Sequence, residues 1–251
     1  MIRDAVILAA GKGTRLRAAD DDLPKPLHRI GGVPLIQRTI LTLAAAGVTR
    51  VVVVTGFGAD QIRAAVTGDP AYAAAGVAVE LAHNPEFEKS NGISVLVGGA
   101  LAGGPFVLSM ADHIYTPAIA RLVAGSDLEA ADLYLATDTR IDGVLDLDDA
   151  TKVRTEAGRI VDIGKTIEVY DRIDCGVFAV TPRLLDALAE VRAERGDCSL
   201  SHGVKRLAEQ GRARVADIGD GFWQDVDTPA DRAHAEAAIG GHDPLADVHR
   251  R

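Results

Sequence analysis

Cysteine, aromatic residues and long apolar runs are all scarce in this chain of 251 residues. Its two cysteines, Cys175 and Cys198, are too few for a disulfide framework or a four-ligand zinc site, so we expect both to be buried apolar residues. The longest apolar runs, such as Val51–Val54, are far shorter than a membrane span. We also expect no signal peptide, because a predicted strand begins at the N-terminus, and we therefore expect a cytoplasmic protein.

Positive charge is also in short supply. Lysine and arginine together number 27, against 36 aspartates and glutamates, which gives a formal net charge of −9. So acidic a chain lacks the broad basic surface on which nucleic acids bind, and we expect no nucleic-acid partner. An apolar fraction of 47% with 25% charged residues is nevertheless typical of a globular protein. Any cluster of cations is therefore a local exception on an acidic molecule.

A glycine-rich segment that carries Lys12 and Arg15 follows the first predicted strand, and Lys25 follows between two prolines. Glycine lets backbone N–H groups approach phosphate oxygens, and the prolines hold the lysine on a stiff segment, so the pattern predicts a polyphosphate site. Two familiar phosphate loops do not fit, because Gly13 stands where a P-loop needs Ser or Thr, and Leu16 where the dinucleotide fingerprint needs Gly or Ala. The residues predicted to bind the nucleotide, besides Arg15 and Lys25, are Leu8, Ala9, Ala10, Gly11, Lys12, Gly13 and Thr14.

Three aspartates provide a second signal. Asp112 follows the apolar strand Phe106–Ser109, and Asp225 and Asp227 alternate on one side of an extended segment. The carboxyl ends of parallel strands meet at one edge of a sheet, so we expect Asp112 to lie beside the glycine-rich segment. Carboxylates beside a polyphosphate predict a Mg²⁺ site, with Asp225 as a ligand or as support for the ligands. In the alternative interpretation, Asp112 is a turn residue and Asp227 merely precedes a helix cap at Thr228.

Nucleophilic side chains in a catalytic arrangement are missing, since we find no credible Ser-His-Asp or Cys-His set. A phosphate monoester acceptor needs no such base, because its second pKa near ~6 leaves it largely a dianion at neutral pH. It needs a cation and groups that bind hydroxyls, and Lys165 and Asp174 are the candidates for acceptor binding. The alternative for Lys165 is a solvated surface lysine.

Short β-branched runs alternate with helical patterns along the chain. This alternation predicts an α/β protein with a mostly parallel, Rossmann-like sheet flanked by helices and a smaller, β-rich acceptor-binding half. We predict one domain over residues 1–240, with a nucleotide-binding half at about 1–130, an acceptor-binding half at about 131–240, and a loose tail over 241–251. The predicted strands are Ile2–Ala9, Val51–Thr55, Val77–Leu81, Phe106–Ser109, Cys175–Val180, Arg214–Asp217 and a hairpin of Lys152–Thr155 with Ile160–Ile163.

The motifs taken together resemble a known family. Leu8–Leu16 with Pro24–Leu27 resembles the signature of nucleotidyltransferases that make nucleotide-sugars, and from end to end the chain resembles the CTP:inositol-1-phosphate cytidylyltransferases. The blocks that carry the narrower resemblance are Asn84–Phe87, Asn91–Ser94, Met110–Tyr115, Ile163–Lys165, Asp174–Phe178 and Trp223–Thr228. Two departures are Cys175, where Thr is more usual, and His202, where Glu is expected.

The resemblance implies Mg²⁺-dependent transfer of CMP from CTP to inositol-1-phosphate, giving CDP-inositol and pyrophosphate. It implies that Arg15, Lys25 and Lys165 are catalytic, and that the base is bound near Asn84, Asn91, Gly92 and Ser94. A separate membrane-bound synthase would use the CDP-inositol. Three alternatives stay open: a phosphocholine cytidylyltransferase, a sugar-1-phosphate thymidylyl- or uridylyltransferase, and a non-catalytic nucleotide-sensing domain.

Overall fold

The computed structural model describes residues 1–16, 22–241 and 245. Its strands are β1 (Asp4–Ala9), β2 (Arg29–Ile30), β3 (Val33–Pro34), β4 (Arg50–Thr55), β5 (Ala78–His83), β6 (Phe106–Met110), β7 (His113–Tyr115), β8 (Leu133–Asp138), β9 (Lys152–Glu156), β10 (Arg159–Gly164), β11 (Arg172–Val180), β12 (Ala213–Asp217) and β13 (Trp223–Asp225). Its α-helices are α1 (Leu35–Ala45), α2 (Ala59–Val66), α3 (Pro70–Ala74), α4 (Gly92–Ala102), α5 (Pro117–Ala124), α6 (Arg183–Arg195), α7 (Leu200–Glu209) and α8 (Pro229–Gly241).

Nine of the strands form one mixed sheet in the order β5-β4-β1-β6-β11-β8-β12-β10-β9. Strands β5, β4, β1 and β6 are parallel to their neighbours within this group. Strand β11 runs antiparallel to both β6 and β8, and the strands beyond it are mixed. The expectation of a mostly parallel sheet is therefore correct for the N-terminal half and wrong for the sheet as a whole, because β11 enters as an antiparallel strand. The predicted hairpin is confirmed as the antiparallel pair of β9 and β10.

Two apolar layers cover the faces of this sheet. Strand β4 is buried on both faces, since Val51–Val54 are at most 1% exposed. One layer contains apolar side chains of α1, α2 and α5, and the other contains those of α4, α6 and α7. Cys175 and Cys198 are free thiols buried in these layers, as the sequence predicts.

A smaller two-stranded sheet and a third apolar cluster hold the C-terminal segment against the N-terminal half. Strand β13 pairs antiparallel with β7, so that Asp225 faces His113 in the register. The third cluster joins α8 to Leu16 and Val226. The glycine-rich segment and the residues around Asp225 are therefore fixed to the same part of the molecule.

The predicted loose tail over 241–251 lies outside the described residues, apart from residue 241 and Leu245, which is buried. Among the residues with described positions, none of the helices has both the length and the apolar character needed to cross a membrane.

Candidate active site

The glycine-rich segment leaves the carboxyl end of β1 and turns beside the end of β6. Leu8 lies opposite Met110 in the parallel register, and the Ala111 N–H donates to the Leu8 carbonyl. This geometry confirms that the glycine-rich segment and Asp112 share one edge of the sheet. Gly13 has a φ of +57°, and a Cβ there would collide with the Cβ of Lys25. Glycine at this position therefore allows both the left-handed turn and the close approach of Lys25.

Lys25 bridges two of the predicted metal ligands. Its Nζ lies 2.5 Å from Asp112 Oδ2 and 2.5 Å from Asp227 Oδ1, and its side chain is only 7% exposed. Burial lowers the pKa of Lys25, but the charges of Asp112 and Asp227 outweigh burial and hold that pKa above its ordinary value. Burial likewise raises the pKa of Asp112, but Lys25 and His113 outweigh it and hold the pKa of that carboxyl well below its usual range.

The β7–β13 pair brings the C-terminal aspartates to Asp112. The Val226 N–H donates to the Asp112 carbonyl directly after β13, which places Asp227 beside Lys25. The helix cap is formed by Thr228 and Asp231, whose side chains accept each other's backbone N–H groups. Asp227 is thus not merely a residue before the cap, because its carboxylate contacts Lys25.

His113 orients Asp112 through a chain of packed and hydrogen-bonded groups. Its Nδ1 lies 2.8 Å from Asp112 Oδ1, and its ring stacks on Trp223 with centroids 6.2 Å apart. The indole N–H of Trp223 donates to Asp138 at 2.8 Å. Gly176, with a φ of +74°, also lies against the imidazole, where a Cβ would collide with it. Sequence reasoning assigned no role to His113 or to the Trp223 ring, although the single Trp beside Asp225 was a usable signal.

Two clefts meet at this cluster. One, of about 280 Å³, is lined by the glycine-rich segment with Lys25. The other, of about 240 Å³, is lined by Lys165 and Asp174 among others. Arg15, Asp112 and Asp227 line both clefts. The structure therefore brings together Arg15, Lys25, Asp112 and Asp227, with the acceptor candidates on the far side of the shared wall. Lys12 is placed elsewhere, since it lines neither cleft and pairs with Glu88.

The predicted base-binding residues are placed differently from the rest. The Asn84 side chain donates to Ser94 Oγ at 2.9 Å and accepts from the Glu86 N–H, and both Asn84 and Ser94 are buried. Gly92 packs against the carbonyl of Cys198. Of this set, only Asn91 lines one of the two clefts, and it is the cleft with Lys165. Base contacts from these residues stay a prediction.

The site fits a divalent cation. The Lys25 ammonium, held between two carboxylates, occupies the kind of position that a cation between Asp112 and Asp227 would take. Within the described ranges, no three or more His, Cys, Asp or Glu side chains are grouped so that they could hold a metal ion by themselves. Two carboxylates nevertheless suit Mg²⁺, because this ion is rarely coordinated by protein ligands alone and usually keeps water and phosphate oxygens among its ligands.

Asp174 supplies a prediction about stability. Burial raises the pKa of Asp174 to about 6, although the Gly176 N–H, donating at 2.7 Å, opposes the shift. A carboxyl whose pKa rises on folding stabilises the fold below the pKa of the unfolded chain, ~3.9, and loses that contribution as pH rises through about 6. Asp174→Asn does not titrate, so we expect it to be more stable than wild type by about 1–2 kcal/mol at pH 7.5 and not at pH 4.

Urea unfolding at the two pH values measures this difference, with the exposed Asp186→Asn as the control variant. An Asp174→Asn protein no more stable than wild type at pH 7.5 would contradict the buried-carboxylate interpretation.

The fold and the site together define a class. A glycine-rich loop and a carboxylate at one edge of an α/β sheet, with cations between two clefts, are the features of a nucleotidyltransferase. The chain belongs to the MobA-like NTP transferase domain family, whose model matches residues 5–213. The resemblance to nucleotidyltransferases found in the sequence is thereby confirmed.

Relatives and solved structures agree with this membership. The chain is 36% identical over 240 residues to a bifunctional IPC transferase and DIPP synthase of Rubrobacter xylanophilus, covering 94% of this chain and 52% of that protein. It is 34% identical over 236 residues to the protein of the same name from Archaeoglobus fulgidus, covering 94% and 43%. The chain thus spans about half the length of these curated relatives.

Among solved structures, the inositol-1-phosphate CTP transferase from T. maritima superposes with a TM-score of 0.85 at 29% identity, covering 98% of this chain and 97% of that one. A UDP-glucose pyrophosphorylase complexed with UDP-glucose shares the fold, with a TM-score of 0.80 at 18% identity, covering 96% and 99%.

Proposed function

We propose that this protein transfers CMP from CTP to inositol-1-phosphate in a Mg²⁺-dependent reaction that gives CDP-inositol and pyrophosphate. The observation that carries the proposal is the shared wall of the two clefts, formed by Arg15, Asp112 and Asp227. A triphosphate in the first cleft and a phosphate monoester in the second would meet there. The names of the transferase from Rubrobacter xylanophilus and the structure from T. maritima support these substrates.

The chemistry requires charge neutralisation more than proton transfer. An oxygen of the acceptor dianion attacks the α-phosphorus of CTP, and the bond from that phosphorus to the bridging oxygen breaks, so that pyrophosphate leaves with the electron pair. Arg15 and Lys25 stabilise the charge that develops on the transferring group. When bound by Asp112 and Asp227, with Asp225 as ligand or support, Mg²⁺ would offset the repulsion between the two phosphates.

Acceptor binding is assigned to the second cleft. Lys165 supplies the cation for the acceptor phosphate, and the Asp174 carboxylate accepts hydrogen bonds from the hydroxyls of the polyol. Aromatic residues form only 4% of the chain, so an aromatic cage for the quaternary ammonium of phosphocholine is a poorer match.

The choice of CTP rests on the segment that contains Asn84 and Asn91. Cytosine presents an amine donor where uracil and thymine present a carbonyl acceptor. An acceptor oxygen in that segment would favour CTP, because the wrong base leaves a buried polar group unpaired at a cost of roughly 1–3 kcal/mol.

The fate of the product belongs to the same proposal. The curated relatives carry the name of a synthase as well as that of a transferase. We propose that a separate membrane-bound synthase uses the CDP-inositol. We also propose that the present protein is cytoplasmic.

A substrate panel tests the proposed function. The purified protein is incubated with Mg²⁺, each of CTP, UTP, dTTP, ATP and GTP, and each of inositol-1-phosphate, glucose-1-phosphate and phosphocholine, while pyrophosphate release is measured. We expect kcat/KM for CTP with inositol-1-phosphate to exceed that for the other nucleotides about 10- to 100-fold. Faster turnover of UTP or dTTP with glucose-1-phosphate would indicate a nucleotide-sugar enzyme. Nucleotide binding without turnover of any pair would indicate a nucleotide-sensing domain.

A further inference from the structure

Asp149 lies between two cations that the proposed function assigns to phosphates. Its Oδ2 accepts a hydrogen bond from Arg15 Nη2 at 2.7 Å, and its Oδ1 accepts one from Lys165 Nζ, also at 2.7 Å. Arg15 and Lys165 are about half exposed, whereas the Asp149 side chain is 30% exposed. One carboxylate thus joins the two cations across the second cleft with one oxygen on each.

These contacts belong to a longer series of alternating charges. Arg15 Nη2 also lies 3.2 Å from Asp227 Oδ1, and Asp227 contacts Lys25. The series runs in the order Lys165, Asp149, Arg15, Asp227, Lys25 and Asp112. Each cation assigned to a phosphate therefore already has a carboxylate partner. Asp112 and Asp227 have a further role in the proposed metal site, but Asp149 has none.

The backbone around Asp149 is held independently of its carboxylate. The Asp149 N–H donates to Asp146 Oδ1 at 3.2 Å, and the buried Lys152 donates to the Lys165 carbonyl at 2.8 Å. The Asp149 carboxylate can therefore separate from Arg15 and Lys165 while the backbone segments around Asp149 and Lys165 keep these other hydrogen bonds. The connection between β8 and β9 would then stay attached, through Lys152, to the segment that carries Lys165.

We propose that Asp149 is the internal counter-ion of the acceptor-phosphate site, and that the bound phosphate displaces its carboxylate from Arg15 and Lys165. Two oxygens of one phosphate can replace the two carboxylate oxygens, so a dianion that contacts both cations recovers both ion pairs. A monoanion that contacts one cation recovers only one. Asp149 is thus a specificity-determining residue, because it favours phosphate dianions that contact both cations over monoanions that contact only one. The identity of the acceptor rests on the proposed function, but the exchange of anions does not.

Binding of inorganic phosphate, measured by titration calorimetry, tests the proposal without requiring turnover. The Asp149→Asn protein is expected to bind orthophosphate at pH 7.5 about 3- to 30-fold more tightly than wild type, because phosphate no longer competes with a carboxylate for two partly exposed cations. Asp148→Asn is the matched control, since it removes the same charge from the adjacent, exposed residue of the same connection. We expect orthophosphate affinity in this control to equal that of wild type.

A double variant locates the effect. Adding Lys165→Ala to Asp149→Asn is expected to remove most of the gain in phosphate affinity. Phosphate binding by Asp149→Asn that is no tighter than wild type, or a gain that survives the loss of Lys165, would overturn the proposal. Asp149→Ser is measured in parallel, with thermal unfolding of each variant, so that a folding defect in one substitution does not decide the result.

Kinetics separate this proposal from a role in which Asp149 only positions the two cations. A displaced counter-ion predicts a lower KM for the acceptor and stronger inhibition by orthophosphate in Asp149→Asn. A purely positioning role predicts a lower kcat with no gain in phosphate affinity, which would overturn the proposal. If wild type turns over no pair in the substrate panel, the proposed function fails, but the calorimetric comparison of Asp149→Asn with Asp148→Asn still decides the role of Asp149.

Discussion

Asp112→Asn and Asp227→Asn are each expected to reduce kcat by about 100-fold or more, because each removes one of the charges that would hold Mg²⁺ where the phosphates meet. Asn has almost the same shape as Asp and keeps one acceptor oxygen, so the contact with Lys25 can persist. Steady-state turnover is measured across a series of Mg²⁺ concentrations. The Mg²⁺ concentration for half-maximal activity is expected to rise in both variants, and EDTA is expected to abolish activity in wild type.

The matched control is Asp142→Asn, which removes the same charge from an exposed residue that lines neither cleft. Its turnover and Mg²⁺ dependence are expected to equal those of wild type. Thermal unfolding of all three variants separates a loss of metal binding from a loss of folded protein. Full activity with unchanged Mg²⁺ dependence in Asp112→Asn or Asp227→Asn would remove that residue from the metal site.

The placement of Asp112 beside the glycine-rich segment could be predicted from the sequence for a general reason. Parallel strands present their carboxyl ends at one edge, and both motifs directly follow apolar strands that are easily identified. The local sequence pattern shows which residues follow the carboxyl end of each strand. It therefore also predicts which of them are neighbours once the strands are parallel.

The order of the sheet could not be predicted in the same way. Strand β11 contains an apolar run that a sequence shows clearly, but nothing local states whether it runs parallel or antiparallel to β6. Strand β8 is as long as β1 and β4, but it was missed because it ends in Thr137 and Asp138, which resemble loop residues. Helix α5 does have a usable helix-start signal, because Thr116 is followed by Pro117.

Asp149 shows why part of the candidate site lies beyond sequence reasoning. The connection that contains it also carries Asp142, Asp146 and Asp148, a composition typical of a solvated loop. Its contact with Arg15 joins residues 134 positions apart in the chain. Motifs identify Arg15 and Lys165 as cations that need an anion, but only the folded chain shows which carboxylate lies between them.

Lys25→Met is expected to lower kcat about 100- to 1,000-fold, because it removes a preorganised positive charge from the point where the transferring group gains negative charge. Methionine keeps most of the apolar stem that packs against Gly13, so the packing is largely retained. The substitution also leaves Asp112 and Asp227 facing each other without the ammonium between them. The metal-free variant is therefore expected to unfold at a lower temperature than wild type at neutral pH.

The pH and Mg²⁺ dependence of the lower Tm of Lys25→Met identify the cause of its lower stability. In wild type, Lys25 helps to depress the pKa of Asp112, so the stability from this pair is present above the ordinary pKa of Asp, ~3.9, and is lost as pH falls. In Lys25→Met the two carboxylates repel when ionised, so its Tm deficit relative to wild type is expected to shrink at low pH and on addition of Mg²⁺. The control is Lys205→Met, which removes a half-exposed lysine paired with Asp162 outside both clefts. A Lys25→Met deficit that Mg²⁺ leaves unchanged would show that the ammonium does not occupy the position of the metal. A deficit that low pH also leaves unchanged would show that Lys25 stabilises the fold by packing alone.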